Sequence, residues 1–309
     1  MERLRIGLIG WGTVGSAFGA LVADGRLPAA ITTVAVRNRE RADLPKGVAL
    51  GSPEEALTAD IVVELAGGVD GPLTWARAAL DRGTPYVTAN KALLANHGGE
   101  LAELAERRSA ALLGSASVGG GTPMIEATAH LAASGEIVRM RGIVNATTTF
   151  ILSAMAKGET YDDALSDAQG AGYAEADPSF DVDGHDAAQK LAILASVAWG
   201  RWVPEKDVEA AGIASTRVDP GAIVRLVAEA TPGERSVAPR VLDPLDPLSV
   251  VRDIEGMLEL TMRDGTAFRI SGPGAGGHVT ARAVYADVGR LLAGERPILF
   301  GSGGPPSRG

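Results

Sequence analysis

A chain of 309 residues with 46% hydrophobic residues and a formal net charge of −9 has room for two domains and a large core. The negative charge argues against nucleic acid as a partner, and no apolar run approaches a membrane span. There is no cysteine, which excludes disulfides, a thiolate nucleophile and a zinc–thiolate site; without a signal-peptide pattern, a cytoplasmic protein is expected.

Residues 4–9 form a short apolar run, followed by Gly10-Trp11-Gly12-Thr13-Val14-Gly15 and an apolar-periodic helix over 13–23. A second strand is expected over 31–36. G-x-G-x-x-G is a weak signal alone, but between a strand and a helix it is the fingerprint of a Rossmann dinucleotide site. Gly10 permits the tight turn, Gly12 lets backbone approach a pyrophosphate, and Gly15 allows helix and strand to pack closely. Thr13 and Val14 fall in the first helical turn, where N–H groups can hold phosphate. An NAD site usually carries an acid at the end of the second strand, to accept from the ribose 2′-OH. Arg37-Asn38-Arg39 stands there instead, with Arg41 and Lys46 following. A guanidinium suits a 2′-phosphate, which places NADP(H) ahead of NAD(H); a solvated basic loop is the alternative.

Residues 61–65 read as an apolar strand, interrupted only by Glu64, that ends in Ala66-Gly67-Gly68, followed by a helix over 72–81 and a strand over 86–89. The alternation predicts a doubly wound parallel sheet, an α/β fold that binds ligands at the carboxyl ends of its strands. Ala66, Gly67, Thr88 and Lys91 lie at such ends and are candidate cofactor contacts. A strand over 111–114 leads through Ser115-Ala-Ser-Val118-Gly-Gly120-Gly-Thr122-Pro into a helix over 123–133. The glycines there suggest an ion or ligand cradle, or a hinge.

A period-2 pattern over 137–144 opens a different region, with helices expected over 150–156 and 161–169 and strands over 257–262 and 267–271. Residues 137–277 are therefore expected to form an α+β substrate and dimerisation domain. Residues 1–136, completed by a C-terminal helix within 278–295, form the Rossmann domain, and 302–309 a disordered tail.

The densest chemistry lies between Ala168 and Lys190, where five carboxylates occur: Glu175, Asp177, Asp181, Asp183 and Asp186. Lys190 is a lone cation on an Ala/Leu/Ile helix over 186–199, four residues after Asp186, so the two share a face. A carboxylate-paired lysine beside an acidic pocket suits an ammonium-bearing substrate and can deliver a proton; an ordinary helix ion pair is the bland alternative. A metal loop from Asp181, Asp183 and His185 lacks the closing bidentate Glu of a hard-cation site.

Thr88-Ala-Asn-Lys91, V-G-G-G-T-P, N-A-T-T-T-F-I-L, the Ala168–Lys190 segment and G-P-G-A-G-G-x-x-T-A together resemble the homoserine dehydrogenase family over nearly the whole chain. The resemblance implies NAD(P)-dependent interconversion of L-homoserine and L-aspartate 4-semialdehyde, for threonine, methionine and isoleucine synthesis, in a homodimer or dimer-based oligomer. It implies Lys190 as proton donor, Asp186 and Asp181 as substrate-binding acids, and Glu175 as a carboxylate on homoserine. It places Lys91 beside nicotinamide and substrate, and Gly172 and Gly276 against the cofactor. Carbonyls of Val118, Gly120 and Thr122 would line a Na⁺ or K⁺ site, weakened because Ser115 replaces an acid common in relatives. An appended ACT domain is not expected. A sugar or polyol dehydrogenase, and a non-catalytic NADP(H)-sensing protein, are the other readings of a Rossmann start followed by an α+β region.

Overall fold

The structure, a computed structural model, describes residues 3–38, 43–295, 297, 299 and 300; Arg39, Arg41 and the segment 302–309 lie outside the described residues. The chain divides into two compact units, one of residues 1–121, 200–202 and 276–309 and one of 122–199 and 203–275.

In the first unit, β1 (Leu4–Ile9), α1 (Thr13–Ala23), β2 (Ala29–Ala35), β3 (Ala49–Gly51), α2 (Pro53–Ala56), β4 (Ile61–Glu64), α3 (Asp70–Asp81), β5 (Tyr86–Thr88), α4 (Lys91–Arg108) and β6 (Leu112–Leu113) alternate along the chain. All six strands run parallel in the order β3-β2-β1-β4-β5-β6. The order reverses between β1 and β4, so their carboxyl ends open the crevice where this topology takes ligands. The strands are apolar on both faces, as a sheet covered by helices on both sides requires. A C-terminal helix, Gly277–Leu292, packs on α1, and its Ala281, Val284, Val288 and Leu291 join Ile6, Leu8, Phe18 and Val34 in one core.

The second unit contains α5 (Met124–Ser134), β7 (Ile137–Ile143), α6 (Ala146–Met155), α7 (Tyr161–Gly170), α8 (Ser179–Val182), α9 (His185–Trp199), β8 (Glu209–Ala210), β9 (Val224–Ala230), β10 (Arg235–Val241), β11 (Glu255–Met262) and β12 (Ala267–Pro273). Its sheet has the order β12-β11-β7-β9-β10-β8, antiparallel except for the β10–β8 pair. Between His185 and Trp199, α9 is buried almost all round, with Lys190 a half-buried exception. Such a helix is central to its unit rather than laid on its surface.

Two expectations move. The boundary falls at residue 121 rather than 136, because α5 packs against α9 and so belongs to the second unit. The helix expected from residue 150 begins at Ala146, because the Asn145 side chain caps it by accepting the Thr148 N–H at 2.8 Å.

Candidate active site

In the first unit, the turn after β1 and the loop after β4 bound a cleft of about 800 Å³. Gly10 has φ +106°, and a Cβ there would meet the Leu65 carbonyl at 2.6 Å. At Gly15 a Cβ would lie 2.3 Å from the Gly10 oxygen. Gly12 is different: nothing lies within 4 Å of where its Cβ would be. The outer glycines are thus demanded by packing, while the middle one leaves open space at the start of α1. Gly12 is the N-cap, and Thr13 and Val14 make the first turn, whose N–H groups have no intrahelical acceptor. A pyrophosphate fits that cradle. Arg37, two residues after β2, lines the same cleft, as do Ala66, Gly67, Trp11 and Trp75. Trp11 Nε1 donates to the Asp43 carbonyl at 3.1 Å, and its ring fills the space a Cβ on Gly19 would need.

Glu64, which the sequence reading did not single out, organises the far wall. Fully buried at the end of β4, its Oε1 accepts the Ala66 and Gly67 N–H groups at 2.7 and 3.0 Å, and its Oε2 accepts the Thr88 hydroxyl at 2.7 Å. Burial pushes its carboxyl above the usual range, against these hydrogen bonds. The amides of Ala66 and Gly67 are therefore turned onto Glu64, so these residues shape the cleft rather than donate into it. The Thr88 oxygen in turn accepts the Asn90 N–H, and Asn90 caps α4, of which Lys91 is the first residue. An acid closing an otherwise apolar strand was the signal available in the sequence.

Gly276 caps the C-terminal helix at φ +127°. Val118 is buried and Gly120 has φ +58°, while Thr122, in the second unit, already accepts the Met124 N–H on its carbonyl at 2.7 Å. Ser115 does not stand in for a missing ligand. Its N–H and Oγ both donate to the buried carboxylate of Asp287 in the C-terminal helix, at 3.0 and 2.7 Å.

In the second unit the residues of the acidic segment divide. Lys190 Nζ donates to Asp186 Oδ2 and to the Val144 carbonyl, each at 2.7 Å. Its third N–H has no partner among the described residues, and the side chain keeps 15% of its exposure. Asp186 is buried, and its Oδ2 also accepts from Asn145 Nδ2 at 2.8 Å. The same amide donates to Asp181 Oδ1 at 2.7 Å, and Thr147 Oγ1 reaches Asp181 Oδ2 at 3.2 Å. Asn145, quoted above only within the N-A-T-T-T-F-I-L motif, thus ties both acids and the lysine into one cluster. Burial raises the Asp181 carboxyl above its ordinary range, and the neighbouring Asp186 charge adds to that rise. Glu175 and Gly172 lie exposed on the loop between α7 and α8, and no hydrogen bond joins the Glu175 side chain to the cluster. Asp177 is exposed and accepts the Ser179 N–H, Asp183 is exposed, and His185 lies 3.3 Å from Glu205. Among the described residues no group of three or more His, Cys, Asp or Glu could hold a metal ion.

The parallel sheet with its glycine cradle at the switch point defines a dinucleotide-binding protein of the Rossmann class, carrying a second unit with a carboxylate-held lysine. A family profile described as the NAD-binding domain of homoserine dehydrogenase matches residues 10–113, and one described as homoserine dehydrogenase matches 123–288. The chain belongs to the homoserine dehydrogenase family. It is 40% identical over 265 residues to the homoserine dehydrogenase of Mycobacterium leprae, covering 80% of this chain and 59% of that protein. To the Synechocystis enzyme it is 38% identical, covering 96% of this chain and 76% of that one. A hyperthermophilic archaeal homoserine dehydrogenase solved in complex with NADPH superposes with a TM-score of 0.87 at 30% identity, over 96% of this chain and 99% of that one. The structure from Thiobacillus denitrificans gives 0.89 at 31% identity, over 94% and 74%.

Proposed function

We propose that the chain interconverts L-homoserine and L-aspartate 4-semialdehyde as a step of threonine, methionine and isoleucine biosynthesis, with NADP(H) preferred to NAD(H). The observation that carries this reading is the Lys190 ammonium, fixed by Asp186 and the Val144 carbonyl with one N–H left over. The cleft of the first unit suits the cofactor: Gly12 leaves room for a pyrophosphate at a helix start, and Arg37 lines the same cleft, where a 2′-phosphate needs a cation. NADPH, when bound, supplies the hydride. Lys190 Nζ gives its free proton to the developing alkoxide oxygen, and in the reverse direction takes it back. Asp186 keeps the ammonium oriented by accepting one of its N–H groups. Asp181, Glu175 and Lys91 are assigned to the substrate, the two acids toward its ammonium.

The same reading includes a homodimer built on the second unit. It is supported by Val241, Leu245 and Val250, which are 74%, 92% and 61% exposed on that unit. Among the described residues no helix is long and apolar enough to cross a membrane. The direct test is formation of reduced nicotinamide from L-homoserine and NADP⁺ by the purified chain. Turnover with L-homoserine and none with polyols is expected; the reverse pattern would overturn the substrate assignment.

A further inference from the structure

The second unit holds another cavity, of about 310 Å³, bounded by the end of α6, α7, the start of β9 and the segment before β11. Neither Lys190 nor Asp186 lines it. Its charged lining consists of three cations, Lys157, Arg225 and Arg252, and three acids, Glu159, Asp167 and Asp253.

Arg225 is the informative member. It interrupts a buried strand and is only 4% exposed. Its Nε and Nη2 donate to the Val251 carbonyl at 3.3 and 3.1 Å, and its Nη1 to the Val224 carbonyl at 2.7 Å. Carbonyls satisfy hydrogen bonds but do not neutralise a charge. A buried guanidinium is normally matched by a carboxylate, yet among the described residues no carboxylate forms an ion pair with Arg225 or Arg252. A second guanidinium is there instead. Arg252 Nη1 donates to the Ser249 carbonyl and, at 3.0 Å, to the same Val251 oxygen that holds Arg225. The β9–β10 register also sets Arg240 directly opposite Arg225 on the sheet. Like charges so placed repel each other. Burial and the Arg252 charge accordingly hold the Arg225 pKa below its usual value. Two converging guanidinium groups in a cavity are the complement of a carboxylate, which accepts from both at once. The acids on the same lining suit an ammonium, and the volume is at the lower end of small-molecule pockets.

We propose that this cavity binds a free α-amino acid, its carboxylate bridging Arg225 and Arg252 and its ammonium facing the acids, at a site separate from that of Lys190. The site does not depend on the activity proposed above, because binding is read without turnover. The test is calorimetric titration and thermal melting of the full chain with each common L-amino acid in turn, and with acetate and inorganic phosphate for comparison. At least one amino acid should bind saturably and raise the melting temperature, as any ligand of the folded state does. Arg252→Ala, at an exposed position, should weaken that binding by about tenfold or more, the loss of one charge-assisted contact. Lys190→Ala should leave it intact, which separates the cavity from occupancy of the candidate active site. The proposal is overturned if no amino acid binds, if binding is equal in Arg252→Ala, if Lys190→Ala abolishes it, or if phosphate alone binds.

Discussion

Lys190 is poised by three neighbours from two stretches of chain: Asp186 one turn earlier on its own helix, and, just after β7, the Val144 carbonyl and Asn145, which acts through Asp186. An ordinary surface ion pair at i, i+4 needs only the first of these and contributes a few tenths of a kcal/mol. If Lys190 is the proton donor, Lys190→Ala lowers kcat by roughly a hundred- to ten-thousandfold, the usual range for loss of a general acid, with little change in affinity for NADP⁺. A folded variant with near-normal kcat would transfer the role to Lys91. Asp181 makes a second prediction. Its folded pKa is raised, first by burial, so the stability it contributes is full below the ordinary aspartate range and is lost as the pH rises through the elevated value. Asp181→Asn does not ionise. Urea titrations across the acidic range should therefore show the variant gaining on the wild type as the pH increases; a gap that closes or reverses would contradict the shift.

Single hydrogen-bonded junctions decide how elements meet. The C-terminal helix is fastened to the segment after β6 by Asp287, which holds both polar groups of Ser115. Sequence comparison suggests that Ser115→Glu would restore a cation ligand, but the structure argues for a different outcome. A glutamate there would enter a buried site already occupied by a carboxylate, adding overpacking of about 1–3 kcal/mol to like-charge repulsion. Chemical denaturation should show a clear loss of stability, and an unaffected midpoint would mean the junction is looser than described. Some elements were legible because one signal dominated: β1 and α1 through an apolar run broken by the glycine turn, α9 through its apolar surface. Others were hidden by residues that tertiary packing excuses. Gly98 and Gly99 sit inside α4, where a Cβ would strike the rings of Phe300 and Trp202. Arg225 breaks the pattern of β9, and Pro239 that of β10. Beyond its register with β8 at Ser236 and Val237, β10 pairs among the described residues only with β9, so a missing N–H at Pro239 is tolerated on the other side.

For the molecule as a whole, the sequence disclosed the division of labour better than the seam. A parallel nucleotide-binding sheet and an α+β unit were both readable from alternation and period, whereas the assignment of α5 depends on packing against α9, which no local pattern announces. The same limit applied to the site: Lys190 and Asp186 are neighbours on one helix, but Asn145 lies 41 residues from Asp186 along the chain and is joined to it only by folding. Cofactor choice is a property of the first unit. Arg37→Ala should raise the apparent KM for NADP⁺ by at least about tenfold, one charge-assisted phosphate contact, and leave that for NAD⁺ little altered; equal effects on both would contradict the assignment. Trp11 and Trp75 add a practical corollary. Of the four tryptophans in the chain, these two line the nucleotide cleft, whereas Trp199 lies in the other unit with its Nε1 on the Ile137 carbonyl. Indole emits where a dihydronicotinamide absorbs, so the cleft carries its own optical donors. Occupancy by the reduced cofactor can be followed as quenched ultraviolet emission with a matching rise in blue fluorescence, without a label and without catalysis.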